Sequence, residues 1–142
     1  MNEKVLLVDD EKDFIDALSE RMQNRGMEVS TTTSAFKALK KIEDGSFDAI
    51  IVDLKMPEMD GLELLRKIKE NKPDVQVILL TGHATVEKGI EAMKLGALDF
   101  VEKPIDIKIL SEKIKKANAK KMILVEKQTE DKIKKIISTK GW

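Results

Sequence analysis

The sequence predicts an α/β fold built as a doubly wound parallel sheet, and two observations carry that prediction. Five strand-length apolar runs recur along the 142 residues, and helix-length segments with apolar residues three and four apart separate them. The runs around Val5, Ile50 and Ile78 are apolar on both faces, as strands covered by helices on both sides require.

The first run, residues 5–8, leads into a helical pattern marked by Phe14, Ile15 and Leu18, which Gly26 closes. The second, residues 28–32, is rich in β-branched residues; Phe36 and Leu39 mark the helix after it, and Asp44-Gly45 ends it. The third, residues 49–52, precedes a helix carrying Leu62, Leu65 and Ile68, stopped by Pro73. The fourth, residues 75–80, precedes a helix with Ile90, Met93 and Leu95, closed by Gly96, and residues 98–101 form the fifth. After Pro104 the next glycine is Gly141, with no proline or low-complexity stretch between, so the fifth helix is expected to run well past the sheet. Its apolar residues Leu110, Ile114, Ala117, Leu124 and Val125 almost form a stripe, interrupted by Lys121.

A hydrophobic content of 42% suffices for one compact domain of this length. The charges balance at 26 basic and 26 acidic, so no global field draws the chain to nucleic acid or an anionic membrane. Absence of cysteine excludes disulfides and thiolate metal sites; with neither a secretory leader pattern nor a membrane-length apolar run, a cytoplasmic location is expected. From Asp106 onward there are 11 lysines and 5 acidic residues, but no arginine and Trp142 as the sole aromatic. That composition reads as the solvated face of a long helix, and no direct nucleic-acid contact is expected of it.

Ligands of parallel α/β sheets bind outside the carboxyl ends of the strands. Asp9-Asp10 ends the first run and Asp53 the third, so the three carboxylates meet if those strands are neighbours. Such a cluster takes up protons or shares a cation, and an oxygen-only set of donors suits Mg²⁺. Thr81 follows the fourth run and Lys103-Pro104 the fifth, adding a hydroxyl and an ammonium. An Asp carboxylate beside Mg²⁺ and Lys is equipped to attack phosphorus, because the cations neutralise the oxygens of the transferring group. Taken singly, Asp9 and Asp10 also suit a helix cap, and Phe100 a core position.

The ordered set resembles the receiver domain of bacterial two-component response regulators over residues of about 3 to 120. It consists of Asp9-Asp10, Asp53 followed by Met56-Pro57 and Asp60-Gly61, Thr81, and Phe100 with Lys103-Pro104. The resemblance implies a flavodoxin-like (βα)5 fold with strand order 2-1-3-4-5, the receiver occupying residues 1–120 and a helical extension or linker residues 121–142. It also implies Asp53 as phosphoacceptor. Mg²⁺ is implied on Asp10, Asp53 and the main-chain carbonyl of Lys55, and on Asp9 directly or through a water, with Lys103 pairing with one oxygen of the incoming phosphoryl group and the Thr81 hydroxyl hydrogen-bonding another once it has arrived.

Phe100, where many receivers have tyrosine, is implied to turn inward with Thr81, altering the face made by the fourth helix, fifth strand and fifth helix. Lys55 and His83 are expected to tune the phosphoryl lifetime. The implied donor is a sensor histidine kinase or a histidine phosphotransfer protein, the chain catalysing its own phosphorylation and slow autodephosphorylation without being a conventional turnover enzyme. A homodimer through the switching face and the last helix is expected. The run Thr81-Gly82-His83-Ala84-Thr85 and the long last helix are similar to receivers controlling transcription factors of the nitrogen-regulatory type, so the chain reads as either free-standing or the front of a longer regulator.

Three rival readings fit the residues less well. A haloacid dehalogenase-type phosphatase needs a second Asp where Lys55 stands, and a flavodoxin needs a hydroxyl-rich phosphate loop where Asp9-Asp10-Glu11 stands. The third, a receiver-fold interaction module not regulated by phosphate, is disfavoured by intact Asp10, Asp53, Thr81 and Lys103.

Overall fold

A computed structural model of the chain describes residues 2–82 and 86–139. Within them strands and helices alternate: β1 (Lys4–Val8), α1 (Lys12–Gln23), β2 (Glu28–Thr32), α2 (Ala35–Asp44), β3 (Ala49–Asp53), α3 (Gly61–Asn71), β4 (Val77–Thr81), α4 (Val86–Lys94), β5 (Asp99–Glu102) and α5 (Ile107–Thr139). The strands form one parallel sheet in the order β2-β1-β3-β4-β5, as the resemblance implied. The register aligns Val8 with Val52, Asp53 with Leu80 and Thr81 with Glu102, so four strands end at one level.

Alternation of side chains along each strand divides the core in two. Leu6, Val8, Ile50, Val52, Val77 and Leu79 point to the face covered by α2, α3 and α4, where they meet Ala38, Ile42, Leu64, Leu65 and Ile68. Val5, Leu7, Ile51, Ile78, Leu80 and Val101 point to the other face, against Ile15, Leu18 and Met22 of α1 and Leu110, Ile114 and Ala117 of α5. Strands covered on both faces explain the unbroken apolar runs.

Helix ends follow local chemistry. Ser34 and Asp60 cap α2 and α3 by accepting the backbone N–H groups of Lys37 and Glu63. Gly26 and Gly96 take positive φ values of 89° and 99°, which a side chain would oppose. Gly45 ends α2 in extended backbone, so its φ makes no demand for glycine.

Three apolar residues assigned to helix faces by spacing lie outside the core. Phe36 is 58% exposed, Ile90 52%, and Met93 is exposed as well. In α2 the small residues Ala35 and Ala38 make the close approach, and in α4 Ala92 does, leaving the larger side chains at the surface. Among the described residues no helix is long and apolar enough to cross a membrane.

Candidate functional site

The carboxyl ends of β1 and β3 are adjacent, and they bring Asp9, Asp10 and Asp53 together, with one carboxylate oxygen from each inside a span of 4.8 Å. Asp9 is 1% and Asp53 6% exposed, whereas Asp10 faces solvent. The Asp9 backbone N–H donates to the Thr32 carbonyl at 3.3 Å, and Asp9 Oδ1 accepts the Glu11 N–H at 2.9 Å. Asp53 Oδ1 accepts the backbone N–H of Lys55 at 3.3 Å.

Lys103 arrives from the turn after β5, where its peptide bond to Pro104 is cis. Its Nζ donates to Asp9 Oδ2 at 2.9 Å and stands 3.8 Å from Asp53 Oδ2 and 3.9 Å from Glu11 Oε1. The half-buried ring of Phe14 lies beneath the ammonium, 4.2 Å from Nζ to its centroid. A cation seated between three carboxylates and an aromatic face is fixed in place before any ligand arrives.

The electrostatics are unequal across the cluster. Burial, then the negative charge of Asp9, push the Asp53 carboxyl up from 3.8 to about 6, although Lys103 and the Lys55 N–H pull the other way. For Lys103, burial works to lower the pKa, yet the hydrogen bond it donates to Asp9 and the surrounding carboxylates raise it above the ordinary 10.5. The ammonium is therefore fully charged at neutral pH, while Asp53 carries an ionisation penalty that a bound cation relieves. Three carboxylates form the hard oxygen set that a divalent ion such as Mg²⁺ takes.

Gly61 shows how tightly the acceptor end is built. A Cβ there would stand 2.6 Å from the Asp53 carbonyl oxygen and 2.7 Å from the Leu54 Cα, closer than backbone tolerates. Its N–H donates to the Leu54 carbonyl at 2.8 Å, and Leu54 N–H donates to the Leu80 carbonyl at 2.8 Å, pinning the chain as it leaves β3.

Thr81 ends β4 and is buried. Phe100, one strand over, is 37% exposed, and its ring lies against Gly89 of α4. A cavity of about 10 Å³, the space of roughly one water, is lined by Thr81, Phe100, Leu54, Leu79 and Ala92. The structure thus brings Asp9, Asp10, Asp53 and Lys103 into contact range, and sets Thr81 and Phe100 on either side of a gap. Lys55 contributes its backbone at Asp53, with an exposed residue beyond. His83 lies outside the described residues.

Residues 5–115 match the family model described as the response regulator receiver domain. The chain belongs to the response regulator receiver family. The receiver is 34% identical to the C4-dicarboxylate transport transcriptional regulatory protein DctD of Rhizobium meliloti over 88% of this chain and 27% of that one. It is 35% identical to a solved response regulator receiver domain protein from Clostridium thermocellum, with a TM-score of 0.82 over 86% of this chain and 98% of that one. It is 37% identical to the beryllofluoride-activated receiver domain dimer of NtrC4, with a TM-score of 0.79 over 83% and 98%. The chain spans about a quarter of the length of the curated relatives it matches.

Receivers belong to two-component systems, interact with histidine kinases, and bind Mg²⁺ through an acidic cluster of this kind. Two parts of this receiver's site had no separate signal in the sequence. By spacing Phe14 belongs to the apolar face of a helix and Glu11 simply follows the acidic pair, yet both flank Lys103. Their positions one and four residues after Asp10, on the first turn above the strand end, were the available clue.

Proposed function

We propose that Asp53 is the phosphoacceptor of this receiver and that Mg²⁺ is held by Asp9, Asp10, Asp53 and the main-chain carbonyl of Lys55. The convergence of the three carboxylates on Lys103 carries this reading. Asp53 Oδ2, the oxygen facing Lys103, attacks phosphorus; the new O–P bond forms as the bond from phosphorus to the donor's histidine nitrogen breaks, and that nitrogen regains a proton from solvent. Lys103 pairs with an oxygen of the arriving group. When bound, Mg²⁺ supplies neutralising charge to the phosphoryl oxygens.

The Thr81 hydroxyl then bonds a phosphoryl oxygen, and Phe100 turns toward the gap between them, changing the surface of α4, β5 and α5. The side chains of Lys55 and His83 tune the lifetime of the phosphoryl group. Its donor is a phosphohistidine on a sensor kinase or histidine phosphotransfer protein in the cytoplasm.

Residues 1–120 serve as the receiver unit and residues 121–142 as a helical extension or linker, in a regulator of the nitrogen-regulatory kind. The exposed Ile90, Met93 and Phe100 and the apolar residues of α5 beyond Lys121 support homodimerisation through that face, and the receiver dimer of NtrC4 is in keeping with it.

Incubation with Mg²⁺ and acetyl phosphate is expected to add one phosphoryl equivalent at Asp53, read by intact-mass and peptide mass spectrometry. No adduct, or the same adduct in Asp53→Ala, sinks the proposal.

A further inference from the structure

The segment between β3 and α3 carries both Asp53's neighbour Lys55 and an acidic side chain that the site does not use. Met56 and Met59 of this segment are buried, but methionine is flexible and fixes position poorly. Glu58, between them, points away from the acidic cluster and reaches the start of α2. Its Oε2 accepts the Ser34 hydroxyl at 3.1 Å and its Oε1 accepts the Ala35 N–H at 3.3 Å. Ser34 in turn caps α2 and donates its own N–H to the Thr32 hydroxyl at 3.2 Å. Thr32 closes the path, because its carbonyl accepts the Asp9 N–H at 3.3 Å.

A chain of hydrogen bonds thus runs from Asp9, through Thr32 and Ser34, to Glu58 on the acceptor segment. It joins the two walls of the acidic cluster from behind, with the Glu58 charge placed where the first-turn N–H groups of a ten-residue helix favour an anion. We infer that Glu58 is a positioning residue, which clamps the acceptor segment to the β2–α2 turn and so holds the Lys55 carbonyl and Asp53 at the correct spacing from Asp9 for cation binding and phosphoryl transfer. This rests on the assignment of Asp53 and the Lys55 carbonyl proposed above. Neighbours that orient metal ligands directly change affinity by about 10- to 100-fold; Glu58 acts one step further back, through the backbone, which places its effect at roughly threefold to tenfold.

The full chain serves for the test. Mg²⁺ alone is titrated calorimetrically into wild type, Glu58→Ala, Glu58→Gln and Ser34→Ala, and amide hydrogen exchange is followed in the metal-free proteins. Glu58→Ala is expected to weaken Mg²⁺ binding about threefold to tenfold and to speed exchange across residues 55–59. Glu58→Gln, which keeps an acceptor for Ala35 and a polar partner for Ser34, should recover most of both. Ser34→Ala added to Glu58→Ala should change neither further.

Ile114→Val, a mild core truncation on the opposite face of the sheet, is expected to lower the melting temperature without altering Mg²⁺ affinity. Equal weakening in Ile114→Val and Glu58→Ala overturns the clamp, as does wild-type affinity and exchange in Glu58→Ala. If wild type accepts a phosphoryl group at Asp53 and only the Glu58 comparison fails, the acceptor assignment stands alone. If wild type binds no Mg²⁺, both fall together.

Discussion

Replacing Asp53 by Asn tests the electrostatic design of the site, because it removes one charge while keeping the side-chain shape. The rise of the Asp53 carboxyl from 3.8 to about 6 corresponds to ~3 kcal/mol of destabilisation when that carboxylate is ionised, at about 1.36 kcal/mol per pH unit. The exposed Asp10 side of the cluster admits water, and an amide forfeits the attraction to Lys103, so a net gain of about 1–2 kcal/mol is expected for Asp53→Asn in metal-free protein.

The sign with pH follows from linkage. Below 3.8 the carboxyl is protonated in folded and unfolded chains alike and nothing is lost; between 3.8 and about 6 the unfolded chain ionises first, so wild type loses stability as pH rises. The advantage of Asp53→Asn should therefore be absent near pH 3.5 and complete at pH 7. Urea denaturation in EDTA at several pH values measures it, and added Mg²⁺ should shrink the difference by stabilising wild type. A variant no more stable than wild type at pH 7 in EDTA, or an advantage independent of pH, would refute the reasoning.

Two other substitutions probe the neighbours of this carboxylate. Gly61→Ala should cost about 1–3 kcal/mol and slow phosphorylation, because its Cβ meets the Asp53 carbonyl at 2.6 Å and only backbone movement makes room; wild-type urea midpoint and acetyl phosphate kinetics together would contradict this. Lys103→Met keeps an unbranched stem over Phe14 but leaves buried Asp9 without its cation; a loss of about 1–3 kcal/mol at pH 7 and a phosphorylation rate lower by roughly a hundredfold are expected. Since the Lys103 pKa is raised above 10.5, its stabilisation is present throughout the neutral range and lost only at higher pH. A stopped-flow rate within twofold of wild type would remove Lys103 from the transfer step.

Strands were legible because burial on both faces leaves a continuous apolar run, and β1, β3 and β4 read from sequence nearly as they stand. Strand ends were readable because Asp9, Asp53 and Thr81 interrupt those apolar runs with polar side chains at the carboxyl edge of the sheet, where they are nonetheless buried. Strand order was not derivable from the periodicity, since pairing depends on the crossovers and not on the strands themselves.

Periodicity placed Phe36, Ile90 and Met93 on helices, as the structure has them, but did not give their exposure. Spacing reports that a residue shares a face, but Ala38 and Ala92 set how closely the helix approaches the sheet and so which side chains are covered. Phe14 and Glu58 were invisible for another reason: their partners, Lys103 and Ser34, are 89 and 24 residues away in the chain, and only the fold brings each pair together.

Lys121 looked like an error in the apolar stripe of the last helix. Its ammonium donates to the Ser46 hydroxyl at 3.1 Å and the Phe47 carbonyl at 2.9 Å, with Asp48 at 3.7 Å, all at the amino end of β3; Gln128, two turns on, meets Asp74 just before β4. Helix α5 starts beside the Lys103 turn and is tethered at the far end of the sheet, about 20 Å further down its axis at 1.5 Å per residue. Between Lys121 and Thr139 the helix runs roughly 27 Å further at 1.5 Å per residue, so a change of about 5° in its direction at that tether would displace its end by about 2 Å.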